Sequence, residues 1–249
     1  MEEKKFKFPT ETVELPSKGL LYPEGHPLAS GVVEMKYMTA KEEDILTNQN
    51  YIKQGVVIDK LLQSLLVTKF DYDDLLLGDK NAIMVAARVL GYGADYTFTY
   101  NNEEITVDLS ELPTVDFNES LVLEKGINEF EFELPHSKNK ITFKLLDGRT
   151  EKAIEAEVKG MKRLNKNASP EFSTRLKHQI LSINGDTDAK NIREFIDNYL
   201  LAKDASAFRS HLKSINPDIR MVFMYEGTNG DEEVTIPLQV QFFWPDARV

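Results

Sequence analysis

The chain has 249 residues, enough to bury a substantial core, and its 41% hydrophobic and 29% charged content is that of an ordinary globular protein. A net charge of -11 argues against a surface made for phosphate backbones or anionic lipid, so neither nucleic acid nor a membrane is the expected partner. Cysteine is absent, which excludes disulfides and thiolate metal sites and fits a reducing cytosol. The N-terminal "MEEKKFKFPTETVEL" lacks an apolar run of signal-peptide length, and no stretch is long enough to span a bilayer, so a soluble protein, intracellular when made, is expected.

Residues 1–30 read as an extended N-terminal arm, because Pro9, Pro16, Pro23, Pro27, Gly19 and Gly25 bar a regular helix. Within it "LPSKGLLYP" carries Leu15, Leu20, Leu21 and Tyr22, too apolar for a free tail, and these four are candidate docking residues. Residues 31–115 form the next region. Val33, Met35 and Tyr37 alternate with Glu34 and Lys36 as in a half-buried strand, and Thr39 with Glu42 three residues on is a capping box that starts a helix. Asp59 introduces "KLLQSLLVT". "GDKNAIMVAARVLGYG" opens with Asp79 and closes on Gly91 as a helix apolar on most sides. Two alternating runs then flank Asn101-Asn102, a pair that tolerates the positive φ angles of a tight hairpin.

Residues 116–148 hold the strand-like runs "INEFEFEL" and "KITFKLL" and read as a β-layer. Residues 149–216 read as helical throughout. The segments are "TEKAIEAEVKGMKRL", "SPEFSTRLKHQILSI" capped by Ser169 before Pro170, "DAKNIREFIDNYLLA" with Ile192, Phe195, Ile196, Tyr199 and Leu200 on one face, and "DASAFRSHLKSI" with Phe208, Leu212 and Ile215 on one stripe. Residues 217–249 then form a hairpin turning at "TNGD" and packing back on the body. The fold class is α+β: helical segments combined with β-hairpin layers.

The last nine residues, "QFFWPDARV", place Phe242, Phe243 and Trp244, the one tryptophan, near a chain end. Strand alternation through Val234, Ile236, Leu238 and Val240 extends to Phe242 and predicts that it is buried on the protein itself. Adjacent Phe243 then points to the opposite side. Phe243 and Trp244 are therefore candidate partner contacts.

Motifs that carry chemistry are scarce. His26, His136, His178 and His211 are isolated, without metal-ligand spacing. "NGDTDAKNIREF" begins like a calcium loop, but Ala189 stands where glycine is required and Phe195 where the final glutamate belongs, so it is a turn and helix cap. "GYGADY" follows a helix instead of preceding one and is a helix stop. "EEDI" and "DYDD" could supply paired carboxylates for acid–base work, yet solvated faces or caps explain them more simply. No enzyme, cofactor or metal is expected.

"LPSKGLLYP", a strand, "MTAKEEDILTN", "IDKLLQSLL" and "LLLGDKNAIMVAARVLGYG" follow one another in an order that resembles the baseplate hub and hub-assembly proteins of T-even-type contractile-tailed bacteriophages. The match in order and spacing runs over about a hundred residues, beyond the reach of a short motif. "LLDGRTEKAIE", "STRLKHQILSING", "FIDNYLLAKDASAFRSHL" and "VTIPLQVQFFWP" resemble the C-terminal half of the longer hub-assembly members. The resemblance implies a non-enzymatic assembly factor, or chaperone, for the baseplate hub, working in the host cytoplasm with other hub or tail proteins. The alternative it implies is a structural hub subunit retained in the virion. Many members carry Cys pairs resembling a zinc ribbon on two hairpins equivalent to residues 96–109 and 221–238. Here those turns are "TYNNEE" and "YEGTNGDEE", so the pair would be cysteine-free and held by Tyr96, Phe98 and Tyr100 against Phe223 and Tyr225.

Overall fold

A computed structural model describes residues 9–115, 117–166, 170–227, 230–238 and 240–243. The arm begins as strand β1 (Thr10–Glu14), paired antiparallel with β2 (Val32–Lys36) so that Val13 faces Val33. Between them the backbone crosses itself. A Cβ on Gly19 would lie 2.5 Å from the Gly31 nitrogen, and one on Gly31 would lie 2.7 Å from the Lys18 oxygen. Both glycines also have positive φ, so the crossing depends on them. Pro27 then opens a short 3-10 turn over Pro27–Ser30.

The Thr39–Glu42 capping box forms as expected and starts α1 (Ala40–Leu46). Asn48 caps α2 (Gln49–Gln54), and Gly55 ends it in the left-handed conformation. α3 (Val57–Leu65) begins ahead of Asp59, which sits in its first turn and caps nothing; Leu61, Leu62 and Leu65 face the core. α4 (Leu77–Tyr92) likewise begins before Asp79 and runs past Gly91 to stop at Gly93. Asp79 is thus a buried residue of the first turn rather than a cap. Near its start, α4 touches the far end of the chain so closely that a Cβ on Gly78 would lie 1.8 Å from the Pro217 oxygen.

β3 (Asp95–Tyr100) and β4 (Glu103–Asp108) form the predicted hairpin, with Asn101 and Asn102 both at positive φ. β5 (Thr114–Val115) pairs with β9 (Asp218–Ile219), which ties the middle of the chain to its last third. β6 (Phe130–Glu133) and β7 (Lys140–Phe143) form the expected β-layer. α5 (Gly148–Leu164), α6 (Glu171–Gln179), α7 (Ala189–Asn198) and α8 (Ala202–Ile215) supply the helical part, with Asp188 capping α7.

This region is not helical throughout. α6 ends at Gln179, and "ILSI" becomes β8 (Ile180–Ile183), which completes a three-stranded antiparallel sheet in the order β6-β7-β8. An apolar run of that length suits a helix or a strand equally, and the open edge of β7 decides for the strand. Tyr199, expected on the packed face of α7, is exposed because the helix stops at Asn198. Ser169 lies outside the described residues.

β10 (Val222–Gly227) and β11 (Gly230–Thr235) form the terminal hairpin. The strand expected to continue through "QFF" does not. β11 stops at Thr235, Leu238 is exposed, and Val240–Phe243 is a single helical turn, α9. One apolar cluster joins Leu15 and Tyr22 to Phe130, Phe208, Phe242 and Phe243, so both ends of the described chain share the same core. The fold is mixed α+β, built from antiparallel hairpins and helices.

Candidate interaction site

The arm residues singled out in the sequence are not displayed for a partner. Leu15, Leu21 and Tyr22 are only 2%, 3% and 5% exposed, and half-buried Leu20 packs against the same cluster. They dock on the protein's own body: the prolines and glycines that prevent a helix let the arm fold over and fill the core.

What anchors the arm is a buried polar clasp. Asp79, on the first turn of α4, accepts from the Ser17 amide at 2.9 Å, the Ser17 hydroxyl at 2.7 Å and the Tyr22 hydroxyl at 2.6 Å. The Tyr22 oxygen in turn accepts from the Leu76 amide at 3.0 Å, and the Ser17 oxygen from the Gly19 amide at 3.2 Å. Both hydroxyls already accept a backbone proton, so each directs its own proton at Asp79. Burial pushes the Asp79 carboxyl up from its ordinary value, more than these hydrogen bonds pull it down. Burial and the neighbouring Asp79 charge raise the Tyr22 phenol as well. The signal missed in the sequence was the lone acid at the start of an otherwise apolar helix, with a Ser and a Tyr waiting in the arm.

Beside the clasp lies a cleft lined by Tyr22, His26, Asp74, Gly126, Asn128 and Asp147. Its polar groups are committed to holding the chain together. The Leu28 amide donates to His26 Nδ1, leaving Nε2 to carry the proton that faces Asp74 at 3.4 Å. Asp74 also accepts from Arg149 at 2.7 Å, Asp147 caps α5 through the Thr150 amide, and Asn128 bonds both the amide and the carbonyl of Leu145. The "DYDD" acids therefore serve as a cap and as partners of Arg149 and Lys152.

A second buried acid closes the capping box. Glu42 receives Lys36, Thr39 and Ser64; burial alone would raise its carboxyl, but these bonds hold it at about 2.

The two hairpins meet ring to ring. Phe98 and Tyr100 lie 5.3 and 6.0 Å from Phe223, and Tyr100 lies 5.0 Å from Tyr225, in edge-on geometry. Two reciprocal bonds, Tyr100 to Glu232 at 3.1 Å and Tyr225 to Glu103 at 2.9 Å, lock the stack. The tail seals its inner end: Phe242 meets the Tyr96 ring at 5.0 Å, and the Tyr96 hydroxyl donates to the Pro237 carbonyl at 3.0 Å. Phe242 is fully buried as expected, but so is Phe243, at 2% exposure, packed edge-on against its neighbour. A helical turn, unlike a strand, can place two adjacent rings into one core, so Phe243 is not an exposed contact. Trp244 lies outside the described residues.

Arg88 is a further group that sequence reasoning passed over. It is buried, donates to the Gly93 and Asp95 carbonyls at 2.7 and 2.9 Å, and lies beside the rings of Tyr92 and Tyr96, which fixes the exit of α4 into β3. Neither a protein-family model, nor a curated protein, nor a solved structure matches the chain.

Proposed function

We propose that the protein is a non-enzymatic assembly factor for the baseplate hub of a contractile phage tail, acting on other hub or tail proteins in the host cytoplasm. The observation that carries this reading is where the resembling blocks sit. "LPSKGLLYP" and "LLLGDKNAIMVAARVLGYG", far apart in sequence, meet through Ser17, Tyr22 and Asp79 in one buried clasp. A resemblance carried by residues that determine the fold together is stronger than one carried by scattered surface matches. The commitment of the cleft's acids and His26 to structural bonds supports a binding role over acid–base chemistry. Within this reading, the stacked hairpins are the cysteine-free counterpart of a zinc-ribbon pair, with aromatic stacking in place of thiolate ligands.

Infection by phage lacking the gene tests the proposal. The expected result is loss of complete baseplates, restored by the gene supplied in trans, with the chain absent from purified particles by quantitative mass spectrometry. Normal baseplates without the protein would reject the role. The chain present in particles at hub stoichiometry would replace it with that of a structural subunit.

A further inference from the structure

We propose that the last two turns of α5 dock against the acidic pair of hairpins on a second copy of this chain. The packed stripe of α5 runs through Ile154 and Val158 and fades at half-buried Met161. Around and after it Lys159, Arg163 and Leu164 of α5, and Lys166 just past its end, are exposed. Leu164 is 91% exposed. Cations near a helix C-terminus complement its dipole, which accounts for Lys162 and Arg163 but not for a leucine in water. Lys162 pairs with Glu171, whereas Lys159, Arg163 and Lys166 form no ion pair among the described residues. The surface is a basic, leucine-tipped helix end on a chain of net charge -11.

The complementary surface is on the same chain. The strands β3, β4, β10 and β11 together carry eight Asp and Glu residues and no Lys or Arg. Glu103 and Glu232 are held by tyrosines and Glu233 by Arg220, but Glu104, Glu226 and Asp231 are exposed and form no ion pair among the described residues. Met224, 63% exposed on β10, offers an apolar contact for Leu164. α5 packs on α6 and on the turn at Tyr72–Asp74, whereas the hairpins adjoin α4 and α9 through Arg88, Tyr96 and Phe242. With donor and acceptor surfaces on different elements, the contact is head-to-tail and joins copies in series. A nucleic acid would have to approach the same helix against the charge of the whole chain, so the observations favour the second copy. The inference rests on these surfaces and holds whether or not the chain is an assembly factor.

Sedimentation and light scattering of the full chain over a range of concentrations, at low and high salt, test it. The wild type should associate at low salt and return to monomer as salt screens the contact. Two variants give the decisive arm: Lys159→Glu/Arg163→Glu/Lys166→Glu, and Glu104→Lys/Glu226→Lys/Asp231→Lys. Each should be monomeric alone, because its altered surface now repels the unaltered complement on another copy. Mixed, they should associate again in one-to-one proportion, through the native contact of the second variant's helix end on the first variant's hairpins and the charge-swapped contact that alternates with it. Leu164→Asp should weaken wild-type association by about tenfold or more. All these positions are exposed, so unchanged melting curves serve as the folding control. A wild type that stays monomeric throughout overturns the proposal and leaves the helix end to a different acidic protein. So does a mixture that fails to associate, or a reversed variant that associates as the wild type does.

Discussion

Tyr22 donates a 2.6 Å hydrogen bond to Asp79 in the core, and this contact ties the N-terminal arm to a helix 57 residues further on. Tyr22→Phe removes one of the three donors to Asp79 and leaves the Leu76 amide without its partner, while keeping the ring. The expected cost is about 1–3 kcal/mol in urea denaturation, the penalty of buried unsatisfied groups. An unchanged midpoint would show that the clasp contributes nothing to stability.

The two buried acids should bend the pH profile in opposite directions. Glu42 sits at about 2 in the fold against 4.5 unfolded, so its contribution is complete above 4.5 and fades as pH falls toward 2. Linkage puts that loss at up to about 3 kcal/mol. Glu42→Gln should be less stable near neutrality and should lack this acid-side decline. Urea denaturation of both proteins across the acid range measures it, and parallel profiles would show that Glu42 is not the titrating group.

Asp79 is raised, so its contribution is fullest below 3.8 and is lost as pH climbs through its folded value. Asp79→Asn should therefore be destabilised most at acid pH, with the deficit against wild type narrowing as pH rises. A deficit that widens with pH would mean that the clasp holds Asp79 below its ordinary value.

Leu20 and Leu21 should separate. Leu21 is in the core and Leu20 is half-buried, so Leu21→Asp should unfold the chain while Leu20→Asp should leave it folded with a lowered melting temperature. Equal effects would show that the arm docks as a unit instead of through individual side chains.

At the other end, Phe242→Ala and Phe243→Ala should each cost about 3–5 kcal/mol by calorimetry, as large truncations in a core do. If Phe243→Ala were silent, the tail turn would not be seated as described.

Local features of the fold were legible from the residues alone. The Thr39–Glu42 box, the Asn101-Asn102 turn and the Asp188 cap each depend on groups a few residues apart. The ring stack of Phe98 and Tyr100 on Phe223 and Tyr225 was expected only through the family resemblance, since no spacing rule links the two hairpins. What failed was nonlocal. β8 exists because Thr142 and Ser182 lie opposite each other across a gap of 40 residues, and their hydroxyls meet at 2.7 Å. The arm's leucines and Tyr22 were read as docking residues without a target, because their acceptor, Asp79, is not linked to them by any spacing rule. Phe243 was misplaced because strand alternation was carried beyond the point where backbone pairing ends, at Thr235.

The Tyr96–Pro237 bond spans 141 residues, and the Asn81–Asp218 bond spans 137. On a ribosome, then, the aromatic face of β3 is made long before the chain that covers it. Until Phe223, Tyr225 and Phe242 emerge, Tyr96 and Phe98 face water, and closure over so many residues is slow compared with the forming of the hairpin itself. The segment from β10 to α9 thus serves as the lock on what precedes it. A nascent chain stalled short of β10 is a half-made protein whose Tyr96 and Phe98 rings form an open, sticky seam.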